Sequence, residues 1–255
     1  MRDSDFVLGL STSSGAAHVA AVQAGSGGAL LLGTAFKVLF EFSITEYRSQ
    51  SAELLPRLGQ GMVQAGLTGA NCLAIAVDIG PGGFTSLRTA CGVAQGLATA
   101  WQVPCVPLSS FECMAATFAA RKDPDASKGG EGVEAACLMD ARLQEVYAAQ
   151  LVLQADRTLW IKQPGLLPYS SAALHEFTRE ATNTLADAPI RADLLPQALA
   201  VGTSDVSLGL GTAALGHVRF SHGVVATPLD CQPLYVREKV AQTTQERRAA
   251  RDVNL

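Results

Sequence analysis

The sequence predicts an α/β fold built of two units, and three stretches carry that expectation. The first is the apolar run 73–77. It leads through Gly80-Pro81-Gly82-Gly83-Phe84-Thr85-Ser86-Leu87-Arg88 into a long small-residue helix that ends near Trp101. Strand, glycine-rich turn and helix in that order is how α/β units are assembled. The second is the opening of the chain, where 6–10 and 17–22 read as a β-hairpin across the turn Ser11-Thr12-Ser13-Ser14-Gly15. An antiparallel start argues against a plain Rossmann fold. The third lies beyond the charged, glycine- and proline-containing stretch 121–132, where strands at 135–139 and 145–153 open a second unit that helices again follow.

The elements follow from local pattern. Residues 25–28 read as a glycine turn, 29–34 as a third strand and 36–42 as its continuation in a meander. Leu54, Leu55, Leu58, Met62 and Ala65 recur at helical spacing, which predicts a helix over 49–66. Pro56 should kink it or sit in its first turn, and Gly59 and Gly61 weaken it. In the next helix, over 87–101, Leu87, Ala90, Cys91, Ala94, Leu97, Ala98 and Trp101 form one stripe. Gly92, Gly96 and Ala100 lie four apart on another face. So little polar surface implies burial on more than one side, either in the chain's own core or in a subunit contact.

A strand at 103–108 precedes a helix for which Ser110 is the expected N-cap. Later expectations are a strand at 160–163, helices at 171–184, 194–201 and 209–218, and an ordered stretch at 233–237. The arginine-bearing tail is expected to be mobile. The expected division is an N-terminal lobe at 1–108, a C-terminal lobe at 109–240 and a tail at 241–255.

Composition narrows the function classes. An apolar fraction of 48% with only 16% charged residues describes a chain with ample core rather than a disordered one. A formal charge of −4 gives no support for strong autonomous nucleic-acid binding. Arg57 and the tail arginines read first as solvated charges. None of the six cysteines forms a C-x-x-C pair, so reduced buried thiols are expected rather than a zinc ribbon or redox motif. The acidic start, Met1-Arg2-Asp3-Ser4-Asp5, does not resemble a signal peptide, and no apolar run is long enough to span a bilayer, so a soluble, cytoplasmic protein is expected.

Several chemistries can be tested on the residues. The glycine turn delivers a helix N-terminus, which readily holds an anion, at Gly82, Gly83, Phe84 and Thr85. It lacks the Lys-Ser/Thr pair of a Walker A loop. His175-Glu176-Phe177-Thr178-Arg179 begins like a zinc-protease helix, but Arg179 stands where the second histidine must be. His217 and His222 lack a convergent third ligand, and no G-x-S-x-G elbow occurs. Ser11, Ser13, Ser109 and Ser110 have no identifiable His or Asp partners. Asp78 ends a strand where α/β proteins place ligands; its competing role is to accept hydrogen bonds from the turn's own N–H groups.

At four ordered blocks the sequence resembles the TsaB (YeaZ) family. The glycine turn with Gly92-Val93-Ala94-Gln95-Gly96-Leu97-Ala98 is similar to that family's G-P-G-S-F-T-G-L-R…A-x-G-L-A signature, and 138–147 resembles its L-D-A-R-x-x-E-V-Y block. Leu54-Leu55-Pro56 and Pro233-Leu234-Tyr235-Val236-Arg237 match its L-L-P and P-x-Y-x-R. The resemblance implies a two-lobed actin-like ATPase (ribonuclease H-like) fold, each lobe a mixed sheet with helices. It implies a non-catalytic partner of TsaD that, with TsaE, supports threonylcarbamoyl transfer to the adenosine next to the anticodon. Such proteins pair as homodimers, or with TsaD, through the first two helices, and meet tRNA only through the complex. The partner-facing residues implied here are Leu54, Leu55, Leu58, Met62, Arg88, Cys91, Gly92, Gln95, Gly96 and Thr99. ATP or ADP at the shared interface is the cofactor the resemblance allows, and a nucleotide-dependent phosphotransferase or glycoprotease-like peptidase is the alternative.

Two departures bear on this. The family's D-T-S reads Ser11-Thr12-Ser13 here, which removes a carboxylate that helps hold metal-bound phosphates in actin-like ATPases. Its H-S helix start reads Gln50-Ser51, and no histidine lies between His18 and His175 to supply the metal pair of TsaD.

Overall fold

Two five-stranded mixed sheets, one per half of the chain, repeat a single topology. The computed structural model describes residues 5–46, 48–121, 132–202 and 207–237. In the first sheet β1 (Phe6–Ser11), β2 (Ala17–Leu31) and β3 (Thr34–Ile44) form an antiparallel meander, and β4 (Cys72–Gly80) and β5 (Cys105–Ser109) add in parallel on the other side of β1, giving the order β3-β2-β1-β4-β5. In the second, β6 (Val133–Arg142), β7 (Glu145–Leu153), β8 (Thr158–Pro168), β9 (Thr184–Ala186) and β10 (Leu199–Ala200) stand in the corresponding order, β8-β7-β6-β9-β10, with the same parallel and antiparallel pairs. This is the ribonuclease H-like arrangement, present twice, that the resemblance implied.

Alternation along the strands builds the layers. Phe6, Leu8 and Leu10 join one core with the helices α1 (Gln50–Gln64) and α2 (Phe84–Trp101), while Val7, Ala20 and Val22 join another on the opposite face. That second core holds α3 (Ser110–Arg121) and α6 (Leu208–Ser221) together with Ala135, Cys137, Ala149 and Leu151 of the second sheet. Outside the second sheet, Leu138, Val146 and Ala148 pack with Leu174 of α4 (Ser171–Thr178) and Ile190 of α5 (Ala188–Asp193). The α3–α6 pair is thus sandwiched between the sheets. Although α6 belongs to the second half in sequence, it packs on β1, β2 and β4.

Close approach makes that packing possible. A Cβ on Gly211 would lie 2.3 Å from Thr117 N in α3, and one on Gly9 would lie 2.4 Å from Ala213 N in α6. Backbone therefore meets backbone at both contacts. At the solvent-side end, buried Arg219 of α6 pairs with Glu112 of α3 at 3.4 Å and donates to Thr158 Oγ1 of β8 at 2.9 Å.

The structure corrects several local expectations. Residues 25–28 are not the turn; β2 runs through them with a register shift between Ala24 and Ala29, and the hairpin turns at Leu32 and Gly33, both with positive φ. α1 continues through Pro56. α2 starts at Phe84, three residues before the expected apolar stripe. Ser110 is not the cap of α3: Ser109 Oγ accepts from Glu112 N at 3.2 Å while Glu112 accepts from Ser109 N at 2.8 Å, a reciprocal capping box. The helix expected over 171–184 stops at Thr178, and 194–201 is not helical, because Asp187 caps a shorter helix ahead of it and 199–200 pair with β9. Residues 233–237 carry no regular element, and the tail beyond Gln242 lies outside the described residues. No described helix is long and apolar enough to cross a membrane.

A Gly211→Leu variant should lose on the order of 3 kcal/mol of stability, since the side chain must displace α3 backbone rather than a flexible group. Urea unfolding followed by circular dichroism measures it.

Candidate functional site: a cleft floored by Asp78

The C-terminal ends of β1 and β4 meet at one buried carboxylate. Asp78 is fully buried, and Ser11 Oγ and Ser13 Oγ both donate to its Oδ2, at 2.7 and 2.5 Å. Its Oδ1 accepts from Ser110 Oγ at 2.6 Å and from Gly80 N at 3.0 Å. Ser110 Oγ also lies 2.7 Å from Pro81 O, so its single proton is shared between the turn and the carboxylate. Burial pushes the Asp78 pKa up, and the four hydrogen bonds pull it back down. Three segments distant in sequence are tied here: the β1–β2 turn, the glycine turn and the start of α3.

The glycines of the turn answer to this crowding. Gly80 has φ +116°, and a Cβ there would meet Leu87 Cδ1 at 2.8 Å and Leu234 O at 2.9 Å. A Cβ on Gly82 would lie 2.8–2.9 Å from Ser13. Thr12 Oγ1 donates to Ser86 O at 2.7 Å, locking the serine loop onto the first turn of α2. Gly83 caps α2 without a side chain.

Above this floor a cavity of about 470 Å³ opens between the two halves. Ser13, Ser14, Gly82, Gly83 and Phe84 form one wall; Asp140, Arg142, Tyr147 and Asp187 form the other; Tyr235 and Arg237 close a side. The second wall is a hairpin tip in which Arg142, Leu143 and Gln144 all take positive φ, from 55° to 62°. Left-handed backbone is costly for non-glycine residues, and it is held here from several directions. Arg142 N donates to Asp140 Oδ1 at 2.8 Å, Tyr169 N donates to Gln144 O at 2.9 Å, and Arg237 donates to Arg142 O and pairs with Glu145. Asp187 accepts from Asp140 N at 2.8 Å and from Ile190 N at 3.3 Å; burial raises its pKa to about 6, against the lowering effect of those bonds. Beside the first wall, buried His18 contacts Ser14 Oγ and Ser43 Oγ, and burial lowers its pKa to about 4.

The residues singled out in the sequence distribute unevenly. Gly82, Gly83 and Phe84 line the cleft. Asp78 does accept from its own turn, but the three serines that converge on it were read as unpartnered; no linear signal pairs them, because they come from three segments. Of the residues implied as partner-facing, Leu54, Leu58 and Cys91 are buried against the first sheet, 1–3% exposed, so they support α1 and α2 from behind rather than face outward. Leu55, Arg88, Gly92, Gly96 and Thr99 are exposed; Met62 and Gln95 are half-buried. A Cβ on Gly92 or Gly96 would meet nothing within 4 Å, which excludes packing of that face in this chain's own core. Arg88 donates to Tyr235 Oη at 3.0 Å and lies 3.9 Å over the Phe84 ring, and Gln95 donates to Cys231 O at 3.0 Å. The six cysteines are all reduced and buried. His175, His217 and His222 do not converge, and among the described residues no group of three His, Cys, Asp or Glu side chains is placed to hold a metal.

Fold and cleft define the class: a two-lobed ribonuclease H-like protein in which the first-strand loop turns its hydroxyls inward onto a buried aspartate. A family model described as TsaD, tRNA N6-adenosine threonylcarbamoyltransferase, matches residues 44–249, and the chain belongs to that family. Within it the likeness runs to TsaB. The tRNA threonylcarbamoyladenosine biosynthesis protein TsaB of Haemophilus influenzae is 35% identical over 112 residues, 44% of this chain and 44% of that protein. TsaB of Escherichia coli is 35% identical over 103 residues, 40% of this chain and 41% of its own length. The matches thus span less than half the length of these curated relatives. A solved structure of YeaZ from Pseudomonas aeruginosa superimposes with a TM-score of 0.64 at 25% identity, covering 91% of this chain and 99% of that one.

Asp78→Ala should cost on the order of 3 kcal/mol, because three buried hydroxyls lose their acceptor at once; Asp78→Asn, which keeps one acceptor oxygen, should cost less. Thermal and urea unfolding of both variants decides it. Asp187 has a folded pKa above the ordinary carboxylate value, so its contribution is complete below about pH 4 and is lost as pH rises through about 6. Asp187→Asn should therefore flatten the unfolding free energy between pH 4 and 6 relative to the parent chain.

Proposed function

We propose that this chain is a non-catalytic partner of a TsaD-type subunit in threonylcarbamoyl transfer to the adenosine next to the anticodon, working with a TsaE-type ATPase and meeting tRNA only through the complex. The observation that carries this reading is the outward face of α1 and α2. Leu55 and Val63 are 49% and 80% exposed, Gly59, Gly92 and Gly96 leave open space, and the helices beneath are held rigidly by Leu54, Leu58 and Cys91. A rigid, nearly uncharged face of two helices suits a helix pair from a second protein. Such a partner would act by binding one conformation of TsaD better than another and so shifting its population. The cleft supports the same reading: where the family has an aspartate for metal-bound phosphates, Ser11 is fully buried and spends its hydroxyl on Asp78.

A second reading draws on the cleft itself. The uncapped start of α2, with Arg142 and Arg237 opposite, is suited to an anion, and a nucleotide shared with the partner would fit there. Calorimetry of the isolated chain with ATP and magnesium tests it; tight binding with turnover would favour a phosphotransferase over a scaffold.

Gly96→Leu should leave the fold and its unfolding midpoint unchanged, since the added side chain enters open space, yet abolish co-purification with TsaD. A Gly96→Leu chain that still assembles and still supports tRNA modification would sink the reading.

A further inference from the structure

Across α1 and α2 only three residues are charged: Glu53, Arg57 and Arg88. Arg57 is spent internally, donating to Ser43 O at 3.0 Å and lying 4.8 Å over the Phe42 ring. That leaves one exposed acid and one exposed base on the face. Among the described residues neither pairs with an opposite charge, although Arg88 is held in place by Tyr235 and Phe84.

Their positions are complementary. Glu53 stands one turn before Arg57, on the flank of α1 that meets β3, where Gly61 also approaches Phe40. Arg88 and Gln95 lie on the opposite flank of α2, against residues 231–235, which continue from the bridge that Ala226 makes to the outer edge of β5. The two charges therefore sit at the two outer edges of the helix pair. Both lie in the first turns of their helices. Those helices follow β3 and β4, which run in the same direction, so both start at the same end of the sheet. A two-fold axis lying in the face and running along the helices exchanges the two edges and keeps the ends together. An axis across the helices would instead place each charge against the other end.

We propose that the α1–α2 face docks a second copy of this chain about a two-fold axis along the helices, so that Glu53 of each copy meets Arg88 of the other and α1 lies over α2. The proposal rests on the reading of this face as a docking face and adds the partner and its orientation to it. An isologous contact repeats each pair twice, so one substitution changes two contacts. Such pairs set register and partner choice more than bulk affinity.

Sedimentation equilibrium of the full chain at low salt tests it. The unmodified chain should dimerise. Glu53→Arg and Arg88→Glu should each weaken the dimer about tenfold, because each places like charges together twice. An equimolar mixture of the two variants should recover the parent affinity as a mixed dimer, and the effect should fade at high salt. A chain that stays monomeric, single variants that dimerise like the parent, or a mixture that fails to pair would each overturn the arrangement. Gly96→Leu separates the two levels. If it breaks a dimer that the charge variants leave intact, the face stands and the orientation falls; if the dimer survives Gly96→Leu, the face itself is wrong.

Discussion

One buried carboxylate organises this molecule. Asp78 sits at the end of the central parallel strand, out of water, and the energetic cost of placing it there is met by donors from three separate segments. Those bonds position the serine loop, the glycine turn and the start of α3 relative to one another. The direction of α2, and hence the face it presents outward, depends on that junction. The same bonds take the hydroxyls of the first-strand loop away from the cleft above.

Close backbone contact is the second constraint. α6 comes from the second half of the chain yet lies on the first sheet, and it does so because Gly209, Gly211 and Gly216 let its backbone approach β2, α3 and β4. The two halves thus share one continuous core instead of two joined by a hinge. Residues 231–237 complete the tie by returning to α2, where Tyr235 both holds Arg88 and lines the inter-lobe cleft. The cleft and the outer face of α2 are therefore separated by only a few side chains.

The cleft combines features that pull in different directions. A helix start and two arginines favour an anion, while Asp140 and Asp187 on the facing wall do not, and the strained tip at 142–144 is held by bonds within the protein. The exposed helix face shows no such conflict. It is rigid, nearly uncharged and open, which is why the proposed role rests on it.

Much of the fold was legible in the sequence: the antiparallel opening, the strand–glycine turn–helix unit, both long first-half helices and the second set of strands all follow from apolar spacing and turn residues. Local pattern erred where two signals of equal range competed. The glycines at 25–28 resemble a turn, but the strand pairing on either side carries β2 through them; the capping serine of α3 was off by one because Ser109 and Ser110 both qualify. Of the site, the glycine turn, Asp78 and the family resemblance were visible. The serines that surround Asp78 were not, since each looks like an ordinary turn residue until three segments are brought together. Nor could spacing alone separate Leu54, Leu58 and Cys91, which face the sheet, from Leu55 and Gly92, which face outward, because that depends on which side of each helix meets the strands. The sequence by itself determined the elements and the family, because periodicity and short motifs are local. Only the tertiary structure decided what faces water, because burial is a property of the whole packing.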